Sequence, residues 1–191
     1  MQVHQFSVSY VQEQDRILVR INTTAGEELR VWFTRRLMLP LWPNLNKAVA
    51  DQLQREKGAQ GNVKSPLAHA DDLTRQMMAD FDRQESLGKF DFKTPYKARP
   101  SLLPLGEDPL VVTQVSMTPM GKGSLRLNFE EKLPGQQAPR AFQVTLALQT
   151  LHGLVHLLEQ SLGRSGWLPD AAPAASTPAA TSPPDRPRYL N

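Results

Sequence analysis

Apolar residues alternate with period two in three short runs near each end of the chain, and each set of runs then gives way to a helical period. Phe6, Val8 and Tyr10 share one face, followed by Ile17, Val19 and Ile21, then Leu29, Val31 and Phe33. Successive strand residues point to opposite faces of a sheet, so this pattern predicts three antiparallel strands with one apolar face. Gln12 to Asp15 and Asn22 to Gly26 are polar connectors of hairpin length, and Gly26 can supply a positive φ. Leu41, Leu45, Val49 and Leu53 then recur every fourth residue, with Pro43 near the predicted helix start and Gly58 past its end.

The same order returns from Leu110. Val111, Thr113, Val115 and Met117 form one row, Leu125, Leu127 and Phe129 a second, and Phe142, Val144 and Leu146 a third. Leu148, Leu151, Val155, Leu158 and Leu162 follow at spacings of three and four, the stripe of an amphipathic helix. The chain thus reads as α+β: two three-stranded antiparallel meanders, each followed by a helix. Residues 3–57 and 110–163 form a pseudo-repeat in pattern but not in identity. Each one-sided sheet must cover its apolar face, so a single domain over 1–168 is expected.

An additional central helix is expected between the halves. Ser65-Pro66 suits its N-cap and first turn, Leu67, Ala70, Leu73, Met77 and Phe81 its stripe, and Gly88 its end. Residues 89–108 read as a Pro-rich loop with one edge strand at Phe90-Asp91-Phe92. Residues 169–191 shift to Ala, Pro, Ser and Thr, and Tyr189 and Leu190 are too few to offset an ordering cost of about 1 to 2 kcal/mol per residue. A disordered tail is expected there.

With no cysteine among 191 residues, disulfide scaffolds, thiolate metal sites and thiol nucleophiles are excluded. The N-terminus has neither a basic start nor an apolar run, and the stretch from Leu151 to Leu158 is too short to span a bilayer. A soluble cytoplasmic protein without a membrane partner is the expectation. The sequence pI of 9.3 overstates the basic character. Lys89, Lys93, Lys97 and Arg99, against Asp91, account for the whole net charge of +3. A protein that lives by neutralising phosphates usually carries a broader basic footprint.

Three runs, His4 to Tyr10, Asp15 to Thr23 and Gly26 to Arg36, resemble a group of short bacterial proteins to which no activity, cofactor or catalytic residue is attached. The likeness is firm over about the first fifth of the chain. It implies a bacterial, cytoplasmic setting and no mechanism.

Motifs for chemistry are missing. There is no Gly-x-Ser-x-Gly elbow, no phosphate-binding Gly-rich loop, and no motif for any cofactor. The carboxylate doublets Glu27-Glu28, Asp71-Asp72, Glu107-Asp108 and Glu130-Glu131 read as solvated surface, since strand neighbours face opposite ways. His152 and His156 have the i, i+4 spacing of a metal pair, but His4 and His69 are distant, so they read as boundary histidines beside the apolar stripe.

Two surfaces have the composition to bind something. One is the sheet face opposite Ile17 and Val31, where Arg16, Arg20, Arg30 and Trp32 combine guanidinium donors with an aromatic ring. The other is the 89–99 segment, where Lys93, Tyr96, Lys97 and Arg99 interleave cations with aromatics. The expected function is a non-enzymatic protein- or peptide-binding module acting through a sheet surface or edge, with no catalytic, metal or cofactor residues. The alternative is a single-stranded nucleic-acid binder using both surfaces.

Overall fold

The computed structural model describes residues 3–59, 77, 84, 88, 96, 102–121, 123–135 and 138–168, with the side chains of 54 and 56–59 left aside. Most of the expected central helix, the Phe90-Asp91-Phe92 strand and the 169–191 tail lie outside these residues. Met77, Gln84 and Gly88 are each helical.

The fold is α+β. Strands β1 (Val3–Val11), β2 (Arg16–Thr23) and β3 (Glu28–Thr34) form the expected antiparallel meander. A 3-10 turn at 12–14 joins the first pair and ends at Asp15, whose left-handed φ of 47° is tolerated by a short polar side chain. Gly26, at φ +80°, closes the second connection, where Thr23 N–H donates to Glu27 O at 2.9 Å.

Helix α1 (Arg35–Ala59) begins eight residues before Pro43 and holds both Pro40 and Pro43 inside it. The expected start near Pro43 is therefore corrected. Thr34 is the reason: its Oγ1 accepts the Leu37 N–H at 3.3 Å, an N-cap that starts the helix directly off β3. Leu41 and Leu45 are buried and Val49 and Leu53 half-buried, as their spacing requires.

The second meander is also corrected. The row from Val111 to Met117 is divided between two sheets. Strand β4 (Leu110–Val111) pairs parallel with β3 and makes the first sheet four-stranded and mixed, in the order β1-β2-β3-β4. Strand β5 (Gln114–Pro119) then opens an antiparallel sheet with β6 (Ser124–Glu131) and β7 (Arg140–Ala147). The chain crosses between sheets within two residues. Val112 N–H donates to Trp32 O at 3.0 Å, and Thr113 N–H donates to Glu130 O at 2.8 Å. Helix α2 (Leu148–Ser165) follows β7, buries Leu148, Leu151, Val155, Leu158 and Leu162, and ends at Gly166, φ 63°.

The apolar faces of both sheets share one core. Phe33 lies 5.9 Å from Phe129, which stacks at 5.0 Å on Phe142, so one aromatic file crosses from the first sheet to the second. The helices exchange partners: α1 lies beside β5 of the second sheet, and α2 beside β1 of the first. The α2 contact is closed, with Trp167 buried and set edge-on against Tyr10 at 5.8 Å. Among the described residues, no helix is long and apolar enough to cross a membrane.

Candidate functional site

The register brings four predicted residues onto one sheet face. Arg20 stands opposite Arg30, Leu18 opposite Trp32 and Arg16 opposite Thr34. This face is not an open platform. Leu18 is buried, Arg16, Arg20, Arg30 and Trp32 are half-buried, and at one end Asn22 and Glu28 are buried.

Tyr96, described on its own from the central segment, seals that end. Its hydroxyl donates to Asn22 Oδ1 at 2.7 Å, with Glu28 Oε2 at 3.2 Å as a second acceptor. Arg30 Nε donates to Glu28 Oε1 at 2.6 Å, and the Arg20 guanidinium lies 6.0 Å from the Tyr96 ring centre. Burial, then the Glu28 charge and hydrogen bond, hold the Tyr96 phenol well above its ordinary range. Arg30 thus spends its charge on Glu28. Lys93, Lys97 and Arg99 lie outside the described residues.

Two carboxylates expected in solvent are buried: Glu28 and Glu131, each the second of its doublet. The alternation that prevents a shared-proton dyad is also what turns one member of each doublet inward. Glu131 Oε1 accepts the Val111 N–H at 2.8 Å, while Arg140 Nη1 stands 3.1 Å from Oε2 as an ion pair without hydrogen-bond alignment. This carboxylate ties the second sheet to β4 of the first. His152 is buried rather than at a boundary, and the half-buried His156 ring lies 2.9 Å from Gln160 Nε2. No group of three His, Asp or Glu with the spacing to hold a metal occurs among the described residues.

A second feature was not legible as a site. A groove of about 460 Å³ runs between α1 and β5. Leu41 and Ala48 from the helix and Val115 and Met117 from the strand are apolar lining, while Asn44, Lys47 and Asp51 line it from the same helix. Both elements are fastened at each end. Val112 is bonded to Trp32 near the helix start, and the buried Gln52 Nε2 donates to Met120 O at 3.2 Å and to Ser124 O at 2.8 Å. From Leu37 to Gln52 the helix advances about 22 Å, and from Thr113 to Met120 the strand advances about 24 Å. Helix and strand therefore run side by side in the same direction for the length of β5.

Strand β5 ends its sheet, and among the described residues nothing pairs with its outer side. Met120 N–H donates inward to Ser124 O at 2.8 Å. Antiparallel alternation then turns the amides and carbonyls of Val115 and Met117 outward, along the groove. Pro119, which has no N–H to donate, shares that outward parity, as proline at a sheet edge does. Ser116 and Thr118 are exposed on the opposite face, and Gln114, also exposed, borders the groove at its start. In comparisons with protein-family models, curated proteins and solved structures, the chain matches none.

Proposed function

We propose that this chain is a non-enzymatic binding module for protein or peptide, receiving an extended segment of its partner along the outer edge of β5. One observation carries the reading: among the described residues, the outward backbone groups of Val115 and Met117 have no strand partner, and they lie beside a groove that Leu41, Ala48, Val115 and Met117 line with apolar surface. Strand addition draws affinity from main-chain hydrogen bonds and selectivity from alternate side chains entering such a groove. Half-buried Val115 and Met117 still have apolar surface to cover, worth about 25 cal/mol per Å² removed from water.

The nucleic-acid alternative has less support. Stacking platforms combine free cations with open rings, whereas Arg30 is paired with Glu28 and Trp32 is half-buried.

A lysine-flanked peptide alternating threonine and valine, titrated into labelled protein, should shift the amide resonances of Val115, Met117 and Ala48. Its twin, N-methylated on one face, should not. Equal response to both peptides, or shifts confined to other strands, would reject the reading.

A further inference from the structure

We propose that the strand best matched to the edge of β5 is β5 of a second copy of this chain, joining two three-stranded sheets into one continuous sheet. This rests on the reading of β5 as an open edge and names the partner that edge selects.

Natural sheets blunt their free edges with charge, proline, bulges or very short strands. The first sheet does so: β1 is covered by α2, and β4 is two residues long. Strand β5, Gln114-Val115-Ser116-Met117-Thr118-Pro119, carries no charge, and its proline stands only at the end. Strand β7 is also terminal, but of its inward residues Val144 and Leu146 are buried and Phe142, though half-buried, is stacked on Phe129, and Arg140 puts a charge at its start. On β5 the inward Val115 and Met117 are only half-buried. The remaining hydrophobic gain lies at β5.

The strand is also complementary to itself. In a two-fold antiparallel pairing centred on Ser116, Val115 of one protomer exchanges both backbone bonds with the partner's Met117, and Met117 does the same with the partner's Val115. All outward groups of both residues are thereby satisfied. On the exposed face Ser116 meets the partner's Ser116 and Gln114 meets the partner's Thr118, a row of neutral hydrogen-bonding side chains without like charges. Pro119 falls opposite the partner's Thr113 and ends the ladder there. On the groove side, the partner's Val115 and Met117 would lie along Leu41 and Ala48. A slip of one residue would turn the apolar pair outward, so the register is specified.

A five-residue seam buries less than the roughly 1,200 Å² of a standard stable interface, so a concentration-dependent equilibrium is expected. Sedimentation equilibrium from about 5 to about 500 µM should show the mass rising from one chain toward two. Ser116→Lys and Ser116→Glu each set like charges face to face at the two-fold, and each should weaken association at least tenfold. Ser116 is exposed, so both variants should keep the wild-type circular dichroism. An equimolar mixture of the two should recover the dimer, less so in high salt.

Two results would overturn the inference: a wild type that stays monomeric over the whole range, or a dimer whose mass neither variant changes. A monomeric wild type that still takes the Thr-Val peptide at Val115 and Met117 would remove the self-pairing and leave the edge-binding reading standing. A dimer broken by both variants, in a protein that ignores the peptide, would do the reverse.

Discussion

The indole N–H of Trp167 donates to Asp15 Oδ1 at 2.7 Å, joining two residues 152 positions apart in the chain. The same oxygen accepts the Tyr10 hydroxyl at 2.8 Å. One turn residue thereby fastens the end of α2 to the hairpin of β1 and β2.

The Trp167 bond first, and the Tyr10 bond second, hold the Asp15 carboxyl below the usual carboxylate range. Its folded pKa therefore lies under the unfolded value of about 3.9. The stabilisation it adds is whole at neutral pH and disappears as the pH falls through the folded value. Asp15→Asn keeps a residue that accepts the left-handed φ. The melting temperature of Asp15→Asn should fall below wild type at pH 7, and the gap should narrow as the pH falls below the ordinary carboxylate range. A gap independent of pH would show that the carboxylate charge is not what matters.

Arg30→Ala strips a buried carboxylate of its ion pair and should destabilise the fold by about 1 to 3 kcal/mol in urea denaturation. Arg30→Ala combined with Glu28→Gln should recover part of that loss, because the unpaired charge is gone. If Arg30 served only a ligand, the single variant would unfold like wild type.

Gln52→Ala leaves the Met120 and Ser124 carbonyls without their helix donor and should cost about 2 kcal/mol. Hydrogen exchange should accelerate most at the β5–β6 turn. Uniform acceleration across both sheets would mean that Gln52 supports the core in general and not this fastening.

Phe129→Ala opens the aromatic file between Phe33 and Phe142 and should cost about 3 to 5 kcal/mol. Phe129→Leu should cost less, since it keeps most of the buried volume. Equal costs would argue that ring geometry, rather than volume, holds the sheets together.

Much of this architecture was legible because a buried sheet face forces period two and a covering helix forces spacings of three and four. Ile17, Val31, Leu127, Leu151 and Leu158 are all buried where their spacing put them. The break between Val111 and Gln114 was not legible, because Val111, Thr113, Val115 and Met117 read as one row, whereas in the fold Leu110 and Val112 are buried, Thr113 is exposed, and the inward parity changes at the crossing. Which sheet a strand joins is decided by partners far away in sequence, here Trp32 and Glu130. The helix start was missed because Thr34 completes the strand pattern and caps the helix at once. The buried Glu28 escaped notice for a related reason: its partners, Arg30 and Tyr96, convert a solvated charge into an interior one only after the chain has folded. The groove beside β5 had a faint signal, a strand without a single charge, that acquires meaning only with α1 laid alongside.

The two-residue crossing at Val112 and Thr113 has a mechanical consequence. With one amide pinned to β3 and the next to β6, the sheets cannot slide past each other without breaking backbone bonds on both sides of the step. The groove beside β5 is thus held at a fixed width, by this crossing at one end and by the Gln52 tether to Met120 and Ser124 at the other.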